Sequence, residues 1–277
     1  MFKKLTKFVK KNWKIAATVA VAIVAIVAII MVVRNHKTPV AENSVVTTTT
    51  TSVQGPRFNP KSVSEKDATV SYTIEAAYPV FKNIANTAAE TKLNGLLADN
   101  INGEVAAFKN GVAERKTNTA IPQNLKSYLT INYKVEYLSD KLVSIFFNEE
   151  SMLAGDAHPS HKNTTVNYNL EDNKEIALTD LFADGSGYLT FLSNNATKYL
   201  KSLNISNDEM IKAGAGAEAK NYSNFYITDQ AIVFVFDYYT VAPGAAGMQK
   251  IFFTFADLKN MLIQDGILKT LIVNKII

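Results

Sequence analysis

The residues best suited to chemistry lie together in one stretch, EESMLAGDAHPSHKNTTVNYNL at positions 149–170. Gly155, Asp156, His158 and His161 fall within seven positions, with Glu149 and Glu150 just before them. Imidazole and carboxylate groups at such density suit metal ligation or general acid–base catalysis. The spacing argues against a metal. His-x-x-His is not the interval that sets two ligands on one helical face, and Pro159 stands between the pair. A tight turn in which His158 bonds the backbone accounts for the same residues, so no metal, cofactor or catalytic set is assigned. The expected role is binding, by a loop holding Gly155, Asp156, His158 and His161. A second glycine-rich turn at 242–247 contributes Pro243, Gly244 and Gly247, whose glycines permit positive φ. Together the two loops are expected to form a recognition surface.

The elements that must position these loops are legible from periodicity. Residues 68–75 alternate Val70, Tyr72 and Ile74 with polar neighbours, the pattern of a half-buried strand, which Tyr78-Pro79 is expected to end. Leu93, Leu97, Ile101, Val105 and Phe108 make a helical stripe over 84–110, weakened locally by Gly95 and Gly103. Residues 129–137 alternate Leu, Ile, Tyr, Val and Tyr with polar positions, turn at Ser139-Asp140, and return through 142–147 as a hairpin. A strand at 164–168 follows the histidine loop. Residues 187–204 and 208–220 suit amphipathic helices. The pattern predicts an α+β fold of antiparallel sheets with packed helices.

Upstream of this lies an unbroken apolar run at 15–33 without charge or proline. Its helix would be roughly 28 Å long, the thickness of a bilayer's hydrocarbon core. Six lysines precede it, so the positive-inside bias places residues 1–14 in the cytoplasm as a short tail. The run is longer than a signal peptide's apolar region and lacks a small-x-small cleavage site, which favours an uncleaved single-pass anchor in the cell membrane. Residues 34–67, with a threonine homopolymer at 47–51 and three prolines, are expected to be a flexible linker. The remainder is expected to be an extracytoplasmic domain in two halves, 68–150 and 151–277.

The formal charge of +4 divides unevenly along the chain. Residues 1–37 hold eight Lys and Arg and no acid, leaving 21 basic against 25 acidic residues in the remainder. Basic character therefore belongs to the anchor, where it suits anionic lipid, and nucleic acid is not an expected partner. Without cysteine the outer domain has no disulfides and depends on its hydrophobic core.

Two sets of motifs resemble known families. Ala154-Gly155-Asp156-Ala157-His158-Pro159, a strand, then Ile176-Ala177-Leu178-Thr179-Asp180-Leu181-Phe182 resemble the extracytoplasmic region of RsiV-type anti-sigma factors. Phe225-Tyr226-Ile227-Thr228, Tyr239 and Val241-Ala242-Pro243-Gly244-Ala245-Ala246-Gly247 agree with it, although Asp156 and Gly244 depart from the family's pattern. The 68–150 half is similar to the domain that precedes the catalytic domain of PdaC-type peptidoglycan deacetylases. The resemblance implies an extracytoplasmic module that recognises a lysozyme-like protein or peptidoglycan. A glycan-modifying enzyme and a structural spacer are the alternatives.

Overall fold

The computed structural model describes residues 55–273 apart from Val70, Thr119 and Gln123. They belong to a single unit, Val53–Ile277. The expected cytoplasmic tail, the 15–33 anchor and most of the linker lie outside the described residues. Among the described residues, no helix is long and apolar enough to cross a membrane.

The chain enters on an edge strand. β1 (Arg57–Asp67) pairs antiparallel with β2 (Tyr72–Lys82), so the last part of the expected linker is a strand. Composition concealed it because β1 is almost wholly exposed and contains Pro60, which an edge strand tolerates. β2 also continues past Tyr78-Pro79 instead of ending there. Its pairing with β3 stops at Ala76, and Pro79 faces Pro60 across the hairpin, so the missing N–H interrupts little.

From β2 the chain crosses over through α1 (Thr87–Thr117) to β3 (Ser127–Leu138), which lies parallel to β2. The sheet is therefore mixed, where the sequence pattern suggested antiparallel strands only; a 31-residue helix supplies the long connection that a parallel pair requires. The Asn86 side chain caps α1 by accepting from the Ala89 N–H at 3.2 Å. Leu93, Leu97, Ile101, Val105, Phe108 and Val112 bury one stripe of the helix. The helix runs unbroken through Gly95 and Gly103.

β4 (Leu142–Met152) and β5 (Ser160–Asn169) extend the sheet antiparallel, and β6 (Lys174–Glu175) closes the order β1-β2-β3-β4-β5-β6. Both faces of β4 are used. Val143, Ile145 and Phe147 join the core beneath α1, whereas Leu142 and Phe146 belong to cores on the opposite side. The boundary placed at 150/151 thus falls inside a strand of one continuous sheet.

The opposite side holds a three-stranded sheet of β7 (Phe225–Ile227), β8 (Ala231–Phe236) and β9 (Gln249–Thr254). Every residue of β8 is buried. α2 (Tyr188–Leu203) packs here through Leu192, Ala196 and Leu200. α3 (Asp208–Ala215) stops before the expected 220: a side chain at Gly214 would overlap the Thr240 carbonyl, and Asn221 donates to the Ala213 and Gly216 carbonyls at 3.2 and 3.1 Å. α4 (Phe255–Leu258) and α5 (Lys269–Val273) complete this layer.

Candidate functional site

The two loops singled out in the sequence meet in a cleft. Asp156, Ala157, His158 and Pro159 of the β4–β5 connection and Ser160 and His161 at the start of β5 line it, with Tyr238, Tyr239 and Gly244 from the β8–β9 connection, enclosing about 500 Å³.

The interface between the sheets sets the spacing of those loops. Asn163 of β5, 2% exposed, donates from its backbone N–H and its Nδ2 to the two carboxylate oxygens of Asp237, at 2.9 and 2.7 Å. Asp237 also accepts from the Tyr238 N–H at 2.9 Å. Deeper in the interface, the Ser144 hydroxyl donates to Asn167 Oδ1 at 2.7 Å and accepts from the Ile227 N–H at 2.8 Å. Asn167 Nδ2 in turn donates to the Phe225 carbonyl at 2.6 Å. These buried polar groups are mutually satisfied, which fixes one register between the layers.

On this frame the His161 ring stacks on Tyr238, with centroids 4.3 Å apart and planes 11° from parallel. Its Nδ1 lies 3.7 Å from Glu150 Oε2. Glu150 Oε1 accepts from the Tyr128 hydroxyl at 2.7 Å, and this bond raises the Tyr128 pKa. His158 is exposed, its Nδ1 3.3 Å from the Pro159 carbonyl oxygen, the backbone contact expected of a tight turn.

Asp156 is committed to structure. Its Oδ1 accepts from Arg115 at the end of α1 at 2.7 Å, and its Oδ2 accepts from the Leu153 N–H at 3.1 Å. Gly155 supports this turn with a φ of +91°, lying against the Ile121 side chain. Pro243 and Gly247 flank a 3₁₀ turn at Gly244–Ala246, Gly247 with a φ of +69°. Gly155, Pro243 and Gly247 thus frame the loops, while Asp156, His158, His161 and Gly244 line the cleft.

Gly244 has a specific reason to lack a side chain. A Cβ there would overlap the ring of Tyr239, which covers this glycine while remaining 63% exposed. Tyr239 itself has a φ of +62°, a left-handed conformation costly for a residue with a Cβ. Tyr238 and Tyr239 were not among the candidates drawn from the sequence. Their signal was a tyrosine pair one residue past a buried strand and before a glycine-rich turn.

Glu149 and Glu150 point to opposite faces, because neighbours on a strand do. Glu149 turns into a groove of about 490 Å³ beneath α1, lined also by Asp99, Glu104, Glu175 and Phe147. Burial foremost, then the Glu104 charge, raises its carboxyl pKa, with Lys162 opposing. Among the described residues no three His, Asp or Glu side chains converge as a metal-holding group.

Residues 64–161 match the family model "Deacetylase PdaC", and residues 179–256 match "Protein of unknown function (DUF3298)". The chain carries a PdaC-like domain, as the resemblance of its first half implied. Among curated proteins it is similar to the peptidoglycan-N-acetylmuramic acid deacetylase PdaC of Bacillus subtilis (strain 168). Identity is 30% over 210 residues, covering 75% of this chain and 42% of that protein, so the chain spans less than half the relative's length. Among solved structures, a DUF3298 family member from Bacteroides fragilis shares the fold with a TM-score of 0.57 at 20% identity, over 78% of this chain and 97% of that one. A DUF3298 family protein from Pseudomonas aeruginosa gives a TM-score of 0.49 at 14% identity, over 75% and 95%.

Proposed function

We propose that this chain is a membrane-anchored, extracytoplasmic recognition module of the cell wall, with peptidoglycan glycan as its ligand. The reading rests on one observation: both candidate loops line a single cleft with an exposed aromatic, Tyr239, at its rim. Aromatic faces beside polar groups suit a sugar ring, which is apolar on its faces and polar at its edges. Asp156 is engaged with Arg115, which favours a binding role for the loop over proton transfer by that carboxylate. The relative acts on peptidoglycan by its name, which supports the ligand class. The anchor at 15–33, with residues 1–14 in the cytoplasm, is part of the proposal. The likeness to anti-sigma factors makes a lysozyme-like protein the second probe.

The test uses the full chain in detergent micelles with purified peptidoglycan and, separately, immobilised lysozyme. Tyr239→Gly and His161→Ala are each expected to weaken peptidoglycan binding by about tenfold, the loss of one well-placed ring contact. Unchanged binding in both variants would overturn the role of the cleft. Binding to lysozyme alone would replace the glycan with a protein ligand.

A further inference from the structure

A third concavity runs along the edge of β9 that pairs with no strand among the described residues. Lys250, Ile251, Phe252 and Phe253 line it together with Phe191, Asn195 and Tyr199 of α2 and Asp257 of α4, around a volume of about 330 Å³. Successive strand side chains point to opposite faces, so four consecutive residues border one cavity only along the strand's backbone edge.

The phase of the ladder identifies the backbone groups on that edge. The Phe255 N–H donates to the Gln230 carbonyl at 3.1 Å. In the β8–β9 register the bonded pairs are then Phe253 with Ile232 and Ile251 with Phe234. Lys250 and Phe252 consequently turn their N–H and C=O groups outward. The next outward donor, the Thr254 N–H, is already bonded to the Asp257 carboxylate at 3.0 Å. The open edge is therefore short. Lys250 also lays its ammonium over the Phe146 ring, 3.8 Å from the centroid, and a charge turned inward beside an edge discourages addition of another strand. This edge suits a ligand bearing a single amide better than an extended polypeptide.

Rings flank it on both sides. Ile251 and Phe253 pack into the same core as α2, so Tyr199 borders the edge from that face and Phe252 from the other. The two side chains are 45% and 61% exposed, among the most exposed large aromatics of the described residues.

We propose that this groove is a subsite for an N-acetylated amino sugar. The acetamido group carries one N–H and one C=O, complementary to the outward C=O and N–H of Phe252. The apolar face of the sugar then lies against the ring of Tyr199 or Phe252. The proposal rests on the glycan reading of the chain's function, and gives the polymer a second contact whose joint effect with the cleft exceeds either alone.

The experiment is calorimetric titration of the full chain in detergent micelles with tri-N-acetylchitotriose and with its fully de-N-acetylated counterpart. The acetylated trimer is expected to bind saturably and the free-amine trimer about tenfold or more weaker, reflecting a lost amide pairing. The double variant Tyr199→Ala/Phe252→Ala is expected to abolish this class of sites. Phe252→Tyr, which keeps a ring, is expected to retain it. Equal affinity for the two trimers, unchanged binding in the double variant, or no saturable binding would overturn the subsite. So would displacement of the trimer by a peptide of the β9 sequence, which would assign the edge to strand addition. The cleft is judged separately, by the effect of Tyr239→Gly on peptidoglycan.

Discussion

Tyr239 combines a left-handed backbone with a ring that stays largely in solvent. Little burial offsets its strain, so stability alone does not account for tyrosine at this position. Tyr239→Gly is expected to raise stability by about 1 kcal/mol, as the backbone cost is removed, while weakening ligand binding. Thermal melting and titration of the same variant check the two opposite signs. Glu149 shows a strain of a different kind. Burial and the nearby Glu104 raise its carboxyl pKa, so folding is favoured with the proton on. Stability is therefore lost as pH rises from the ordinary carboxylate range through the raised value. Glu149→Gln is expected to increase Tm by about 1–3 °C at neutral pH, the exposed part of the group being screened, and the gain should vanish in acid. At this scale the sequence exposes the 149–161 candidates because two of the chain's three histidines fall there beside acids and a glycine. It does not expose Tyr238 and Tyr239, since tyrosine is equally a core residue, and only the position of the Tyr239 ring over Gly244 separates the two uses.

At the level of elements, Asp237 ties the β8–β9 connection to β5. Removing its carboxylate leaves the Asn163 N–H and Nδ2 buried without their acceptors. Asp237→Ala is expected to cost about 2–4 kcal/mol, read from denaturant midpoints, and to loosen the stack of His161 on Tyr238. α1 and β3 are legible because each presents an apolar stripe of one clear period, and β4 because a short apolar run follows the turn signal Ser139-Asp140. β1 is not, because an exposed edge strand buries too little to pattern its sequence. The course of β2 through Pro79 is hidden for a related reason: proline ends a strand only where its N–H is needed, and that depends on partners distant in sequence. The parallel pairing of β2 with β3 likewise follows from the crossover, which no local pattern encodes.

In the molecule as a whole, β4 serves cores on both of its faces, so the α1 layer and the β7–β9 layer are not separable parts. The described region is expected to unfold in a single calorimetric transition, with calorimetric and van't Hoff enthalpies agreeing. A fragment of residues 55–176 would bare Leu142 and Phe146 and leave Ser144 and Asn167 without their partners in β7, and is expected to associate or remain loosely packed. Two resolved transitions, or a well-folded monomeric fragment, would count against this. The polar ladder between the sheets has an effect reaching beyond stability. Greasy surfaces can slip past each other by fractions of a side chain, whereas a row of hydrogen bonds engages like teeth at one setting. The sheets are thus a fixture and the loops its tooling: exposed loop positions such as Ala157, His158 and Ala245 are free to diversify toward other ligands while Asn163 and Asp237 keep the mounting points still.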